Sequence, residues 1–304
     1  MADESRRQFT LEELTFLFAT LERLGSPCVL MGGQAAIFWA RRYARAEPAL
    51  REIEEVFPFV SKDVDFQGSR EAVIAFARAM GQRAEVPGFR EAFGNLMAGK
   101  FSVRVGDDRL SVEVLWQVPG ISEHEVRKLS VLELVGGHSV RVLNPVAMLL
   151  AKTWNVVKIT KEGRHDTEQL LSLVPCVRAH IREFLREGLS DRRVLRAGLS
   201  LLEHAIHFTE LPGGRKAAER CGVDWSQILP HSFIAASTLP ELARLREKRV
   251  PLWLRNVSNY QRPAPENPTV RRLLEILAAH AEPLCSQPAP PNRKSKDSQR
   301  DLNF

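Results

Sequence analysis

No stretch of this sequence approaches the roughly 20 consecutive apolar residues that a membrane-spanning helix needs. The opening Met-Ala-Asp-Glu-Ser-Arg-Arg is polar and has no apolar signal core. Cysteine is scarce: Cys28, Cys176, Cys221 and Cys285 are the four in 304 residues, and no two form a C-x-x-C pair. Thiols scattered in this way exclude a zinc ribbon and a disulfide framework and suit a reducing cytoplasm. Neither a G-x-S-x-G elbow nor a G-x-x-x-x-G-K-[ST] loop occurs, which removes the α/β-hydrolases and the P-loop enzymes. There is no internal repeat. The expectation is a cytoplasmic protein with no membrane partner.

What remains is ordinary globular material, 44% hydrophobic and 26% charged, enough for one large or two ordinary domains with real cores. The net charge of +6 and pI near 9.3 permit a polyanionic partner without demanding one. Arg41, Arg42 and Arg45 form a basic cluster in which positions 41 and 45 share a helix face, where they could steer phosphate, although a solvated face is the commoner outcome. His204 and His207 share another face, but with only Glu203 nearby they lack the ligands of a metal site.

Local signals divide the chain. Thr10-Leu-Glu-Glu13 is a capping box ahead of Leu11, Leu14, Phe18, Leu21 and Leu24 at helical spacing, with Gly25 as the stop. A short strand from Cys28 to Met31 runs into Gly32-Gly33, and a helix follows from about Gln34 to Tyr43. Residues 46–57 predict an extra helix, residues 63–66 a second strand, and Ser69 caps a helix that ends before Gly81. Hairpins are expected around Gly106-Asp107-Asp108, where both aspartates read as turn formers, and around Gly136-Gly137. Asn144-Pro145 opens a helix as N-cap and N1. From there to about His280 the pattern is helical, and the tail from Gln287 has the composition of a disordered segment. The division expected is residues 1–143, 144–286 and a tail over 287–304.

The chemistry concentrates at Asp63 and Asp65. In a strand they project from one face while Val64 points back to the core. Hard cations such as Mg²⁺ take one or two carboxylates together with substrate phosphates. Gly32 and Gly33, upstream, let backbone approach a phosphate at the start of a helix, where the N–H groups face outward. Glu113 lies in Ser111-Val-Glu-Val-Leu115 on a strand face opposite Val112 and Val114.

Cys28-Val-Leu-Met-Gly-Gly-Gln-Ala-Ala36 followed by Ser61-Lys-Asp-Val-Asp-Phe66 resembles the signature of the nucleotidyltransferase superfamily typified by DNA polymerase β, and within it the AbiEii-type toxin branch. The resemblance spans roughly residues 28–173. It implies an α+β fold, a small mixed sheet flanked by helices and followed by a helical C-terminal domain. It also implies Mg²⁺ held by Asp63, Asp65 and Glu113, with Glu113 as the third carboxylate and base. Gly32, Gly33, Lys152 and Asp166 would bind the nucleotide, Lys152 gripping the triphosphate and Asp166, in Arg164-His165-Asp166, positioning it. The implied reaction moves a nucleoside monophosphate from an NTP to an acceptor hydroxyl, with tRNA or another RNA as acceptor and a cognate antitoxin as partner. The alternatives are an antibiotic-type small-molecule acceptor, or a degenerate relative that binds RNA or protein without turnover. Three features depart from the pattern: the glycine-to-aspartate interval is long, Glu113 stands where most members have aspartate, and Gln169 stands where a second aspartate is usual.

Overall fold

Strands β1 (Val29–Met31), β2 (Asp63–Gln67), β3 (Met97–Val105), β4 (Asp108–Leu115), β5 (Ser130–Val135) and β6 (His138–Leu143) form one mixed sheet. Its spatial order is β3-β4-β2-β1-β6-β5. β1 pairs antiparallel with β2 and parallel with β6, while β2 pairs parallel with β4. This computed structural model describes residues 7–88, 96–159 and 165–284. Arg164, Cys285 and the tail from Gln287 lie outside the described residues.

Both hairpins close through two residues. Gly106, at φ +62°, turns β3 into β4, and Gly136 and Gly137, at φ +57° and +84°, turn β5 into β6. Two successive positive φ values mark a primed turn whose twist matches that of the strands. Asp108 is not a turn residue as expected: it opens β4 opposite Val105, and its carboxylate accepts from Arg7 Nη1 at 3.0 Å.

At β2 and β4 the sheet has a buried face and a more open one. On β2 and β4, Val64, Phe66, Val112 and Val114 are fully buried. Phe66 meets Phe76 of α4 (Arg70–Ala79) edge-on at 5.7 Å, and Phe76 meets Phe101 at 5.1 Å. Each such side chain contributes roughly 1.5–3 kcal/mol by leaving water. Alternation then sends Asp63, Asp65, Ser111 and Glu113 to the other face, where all four are half-buried.

The helices follow the caps. The Thr10–Glu13 box is made, Thr10 N–H donating to Glu13 Oε2 at 2.9 Å, ahead of a 3₁₀ turn and α1 (Thr15–Arg23). α2 (Gly32–Tyr43) starts at the glycines, two residues before Gln34, and α3 (Ala49–Val56) lies inside the expected insertion. Ser69 caps α4 by accepting from Ala72 N–H. The sequence reading passed over α5 (Glu123–Lys128), although Ser122 and Glu125 form a complete capping box there. Asn144 Oδ1 accepts from Ala147 N–H at 2.9 Å and starts α6 (Pro145–Lys158), which packs on α7 (Asp166–Glu187). Then come α8 (Arg192–Glu210), α9 (Pro212–Cys221), α10 (His231–Ala236), α11 (Pro240–Arg244), α12 (Val250–Ser258) and α13 (Pro268–Ala279). The fold is therefore α+β, a mixed sheet flanked by helices with a helical C-terminal region. Among the described residues no helix is long and apolar enough to cross a membrane.

α2 joins the two halves. Most of its residues are buried, it packs against β2 and α7, and Trp39 Nε1–H donates to Leu143 O at 2.8 Å. Near its end the chain forms a closed ion network. Glu47, 3% exposed, lies against the guanidinium of Arg178 and 2.7 Å from Arg182, which also reaches Glu282 at 2.7 Å. Two arginines of the basic cluster, Arg41 and Arg42, are likewise committed to ion pairs, which leaves them poorly placed to steer phosphate. Arg41 pairs with Glu12 at 2.6 Å, and Arg42 bridges Glu133 and Glu183 at 3.1 and 3.2 Å.

Candidate active site

β1 ends at Met31, whose cross-strand partner is Asp65, so the chain turns at Gly32 beside that carboxylate. A Cβ built on Gly32 would stand 1.9 Å from Asp65 Oδ2 and 2.7 Å from its Cγ. Gly32 also has φ +68°, a conformation that side chains disfavour by about 1–2 kcal/mol. Only glycine satisfies both conditions, and the result is a carboxylate resting on the backbone where α2 begins. A Cβ on Gly33 would lie 2.5 Å from Ser61 Oγ and 3.2 Å from Gln169 Nε2. Ser61 in turn donates to Asp63 O at 3.1 Å, tying the approach to β2 to the same turn.

Asp63 and Asp65 therefore share one strand face at the glycine turn, on the strand next to β1. Glu113 is the in-register neighbour of Asp65 on β4, and Ser111 that of Asp63. β1, β2 and β4 thus lie side by side and carry the glycine turn, the two aspartates and Glu113.

Lys152 and Asp166 come together on helices rather than on the sheet. Lys152 Nζ donates to Asp166 Oδ1 at 2.9 Å, with the residues 6% and 7% exposed, and Asn155 Nδ2 donates to the same oxygen at 3.2 Å. A buried ammonium is costly unless it is paired and hydrogen-bonded. Asp166 is the first residue of α7, where its charge also complements the helix dipole. Gln169, one turn further on the same face of α7, brings its amide beside Gly33, so the helix that carries Asp166 also reaches the glycine turn. Sequence reasoning had noted Gln169 only as a departure and had missed Ser61 and Asn155 as members. The three-residue spacing from Asp166 was the available signal for Gln169.

His204 Nε2 lies 3.8 Å from Glu125 Oε1, an ion-pair contact. Among the described residues no group of three His, Cys, Asp or Glu side chains is arranged to hold a metal ion. The oxygen-only donors Asp63 and Asp65 still fit Mg²⁺, which takes one or two carboxylates and fills its remaining positions with water and substrate phosphate.

No protein-family model and no curated protein matches the chain. Among solved structures it is similar to an antigenic nucleotidyltransferase-like protein from Paracoccidioides brasiliensis. There the identity is 12% over 63% of this chain and 95% of that one, with a TM-score of 0.37. It is also similar to the antibiotic-resistance factor ANT(2'')-Ia, at 15% identity over 65% and 97% of the two chains and a TM-score of 0.34. Overlaps this loose do not identify a family or its chemistry, so the functional reading rests on the site.

Proposed function

We propose that the chain is a metal-dependent nucleotidyltransferase that moves a nucleoside monophosphate from an NTP to an acceptor hydroxyl. The fit of the Asp65 carboxylate against the Gly32 backbone carries this reading. A carboxylate stands there beside the start of α2, whose N–H groups suit a triphosphate, and this supports the reading. Asp63 and Asp65 would hold Mg²⁺, which when bound supplies charge neutralisation at the reacting phosphate and the leaving pyrophosphate. Glu113, beside Asp65, is placed to take the proton of the acceptor hydroxyl as its oxygen bonds to the α-phosphorus and the bond to pyrophosphate breaks. Gly32 and Gly33 let backbone approach the phosphates. Lys152 adds positive charge, and Asp166 and Asn155 position it.

The acceptor in this reading is RNA, with a cognate antitoxin as regulator, and residues 144–286 form the substrate-side domain. Incubation with Mg²⁺, each labelled NTP and total RNA should give label transfer by the wild type and none by Asp63→Asn. Equal transfer by both proteins would remove Asp63 from the chemistry.

A further inference from the structure

A cleft of about 700 Å³ away from the glycine turn is lined by Gln67, Arg70, Trp116, Arg127 and Arg141 among others. Its place on the sheet follows from register. Gln67 is two residues beyond Asp65 on β2, so both project from the open face. Gln67 is opposite Val29, and Val29 is opposite Arg141, which puts those residues on that face as well.

Two features of this cleft point to a ligand. Trp116 is 49% exposed, whereas Trp39, Trp225 and Trp253 are buried to 1% or less. An indole left half in water beside a concavity offers a flat stacking surface. Arg70 and Arg141, both exposed, form no salt bridge among the described residues, unlike Arg41, Arg42, Arg178 and Arg182. The cleft's acids do not neutralise it: Glu123 is taken by Arg127 within α5, which leaves Glu71 against two guanidinium groups.

We propose that this cleft is a binding site for one nucleotide unit, its base stacked on Trp116 and its phosphate held by Arg70 and Arg141. A planar ring and a phosphate in one ligand match the two kinds of group the cleft offers. The unit is either a free nucleotide or the end of a single strand, since the two share this chemistry. The site stands without the transfer reading. Its assignment as the acceptor side of the acids rests on that reading.

The test uses full-length protein without Mg²⁺ or NTP, so that no turnover is involved. Binding of a labelled single-stranded oligoribonucleotide is followed by fluorescence anisotropy, and binding of a nucleoside monophosphate by calorimetry. Wild type should bind at least one of them. Trp116→Ala should weaken binding about tenfold, within the range of base–aromatic stacking, and Trp116→Phe should restore most of it. Arg141→Ala should weaken binding and flatten its salt dependence. Both side chains are exposed, so the variants should fold, and circular dichroism checks this. Binding of the monophosphate identifies a free nucleotide as sufficient, and binding of the oligonucleotide alone identifies a strand end. Wild type that binds neither ligand, or Trp116→Ala and Arg141→Ala that both bind as wild type does, overturns the proposal. Trp116-dependent binding in a protein without Mg²⁺-NTP response or label transfer would leave this site standing while the transfer reading fails.

Discussion

Glu47 and Asp65 are acids eighteen positions apart that the fold holds by different means. Glu47 is sealed in the interior and matched by Arg178 and Arg182, with Glu282 completing the group. Its charge is balanced on all sides by the chain itself, so there is nothing left for a ligand to do. Asp65 is half-buried on a strand face, and the Cβ that Gly32 lacks would occupy its carboxylate. An ion network of the first kind joins the α2–α3 connection to α7 and the end of the described chain, and its purpose is structural. The second arrangement fixes where a carboxylate stands while leaving that face of the sheet accessible, which is what a metal- and phosphate-binding site requires.

Breaking the first arrangement should give the largest effect on stability. Glu47→Gln leaves the Arg178 guanidinium buried with only Glu282, 3.9 Å away, to balance it. Removing one partner of a buried pair costs about 3–5 kcal/mol, and Glu282 places this case near the lower end. Urea unfolding should show that loss, while the molecules that remain folded should keep any melting shift with Mg²⁺ and NTP. A shift lost along with stability would mean that the two regions are not separable.

A smaller stability effect with a larger functional one is expected at the turn. Gly32→Ala must take up a positive φ, at about 1–2 kcal/mol, and must displace the Asp65 carboxylate. Denaturation should register the modest loss, and the Mg²⁺-NTP shift should disappear. Retention of the full shift would show that the position of Asp65 does not matter.

The comparison sharpens further at His180, beside the ion network on α7. Burial, helped by Arg42, pushes its pKa down to about 3 from 6.5. Between those values the unfolded chain binds a proton that the folded chain refuses. Stability should therefore fall with falling pH across that window, by about 1.4 kcal/mol per pH unit, the loss being complete below about 3. The Tyr43 hydroxyl contacts His180 Nδ1 at 2.8 Å and has a second partner in Glu183 at 2.6 Å. His180→Phe should thus flatten the pH dependence between pH 4 and 6.5 without abolishing folding. An unchanged slope would place the titrating group elsewhere.

Much of the site was legible because its parts are local. Strand alternation placed Asp63 and Asp65 on one face, the glycines marked the turn, and Asn144-Pro145 fixed where α6 begins. What stayed hidden depends on contacts distant in sequence. Arg178 meets Glu47 across 131 positions, and no local pattern announces that pairing. Gln169 reads as a departure because what it does, filling the space beside Gly33, is recorded by no sequence motif. α5 was a different kind of miss, since Ser122 and Glu125 spell its cap and only the brevity of the helix concealed it. Asp108 was assigned to the turn from its residue type, but two-residue closure at Gly106-Asp107 moved it into β4.

The claim that Asp65 is a metal-holding acid, and not one structural carboxylate among many, can be tested in one comparison of melting temperatures. Wild type and Asp65→Asn are heated in EDTA and again with Mg²⁺ and NTP. The substitution keeps the side chain's shape against Gly32 while removing its charge. The variant should remain folded in EDTA, so that its melting can be compared with and without ligand. It should also lose the stabilisation that ligand binding gives the wild type. Equal ligand-induced shifts in the two proteins would contradict the assignment of Asp65, and with it the account of this end of the sheet.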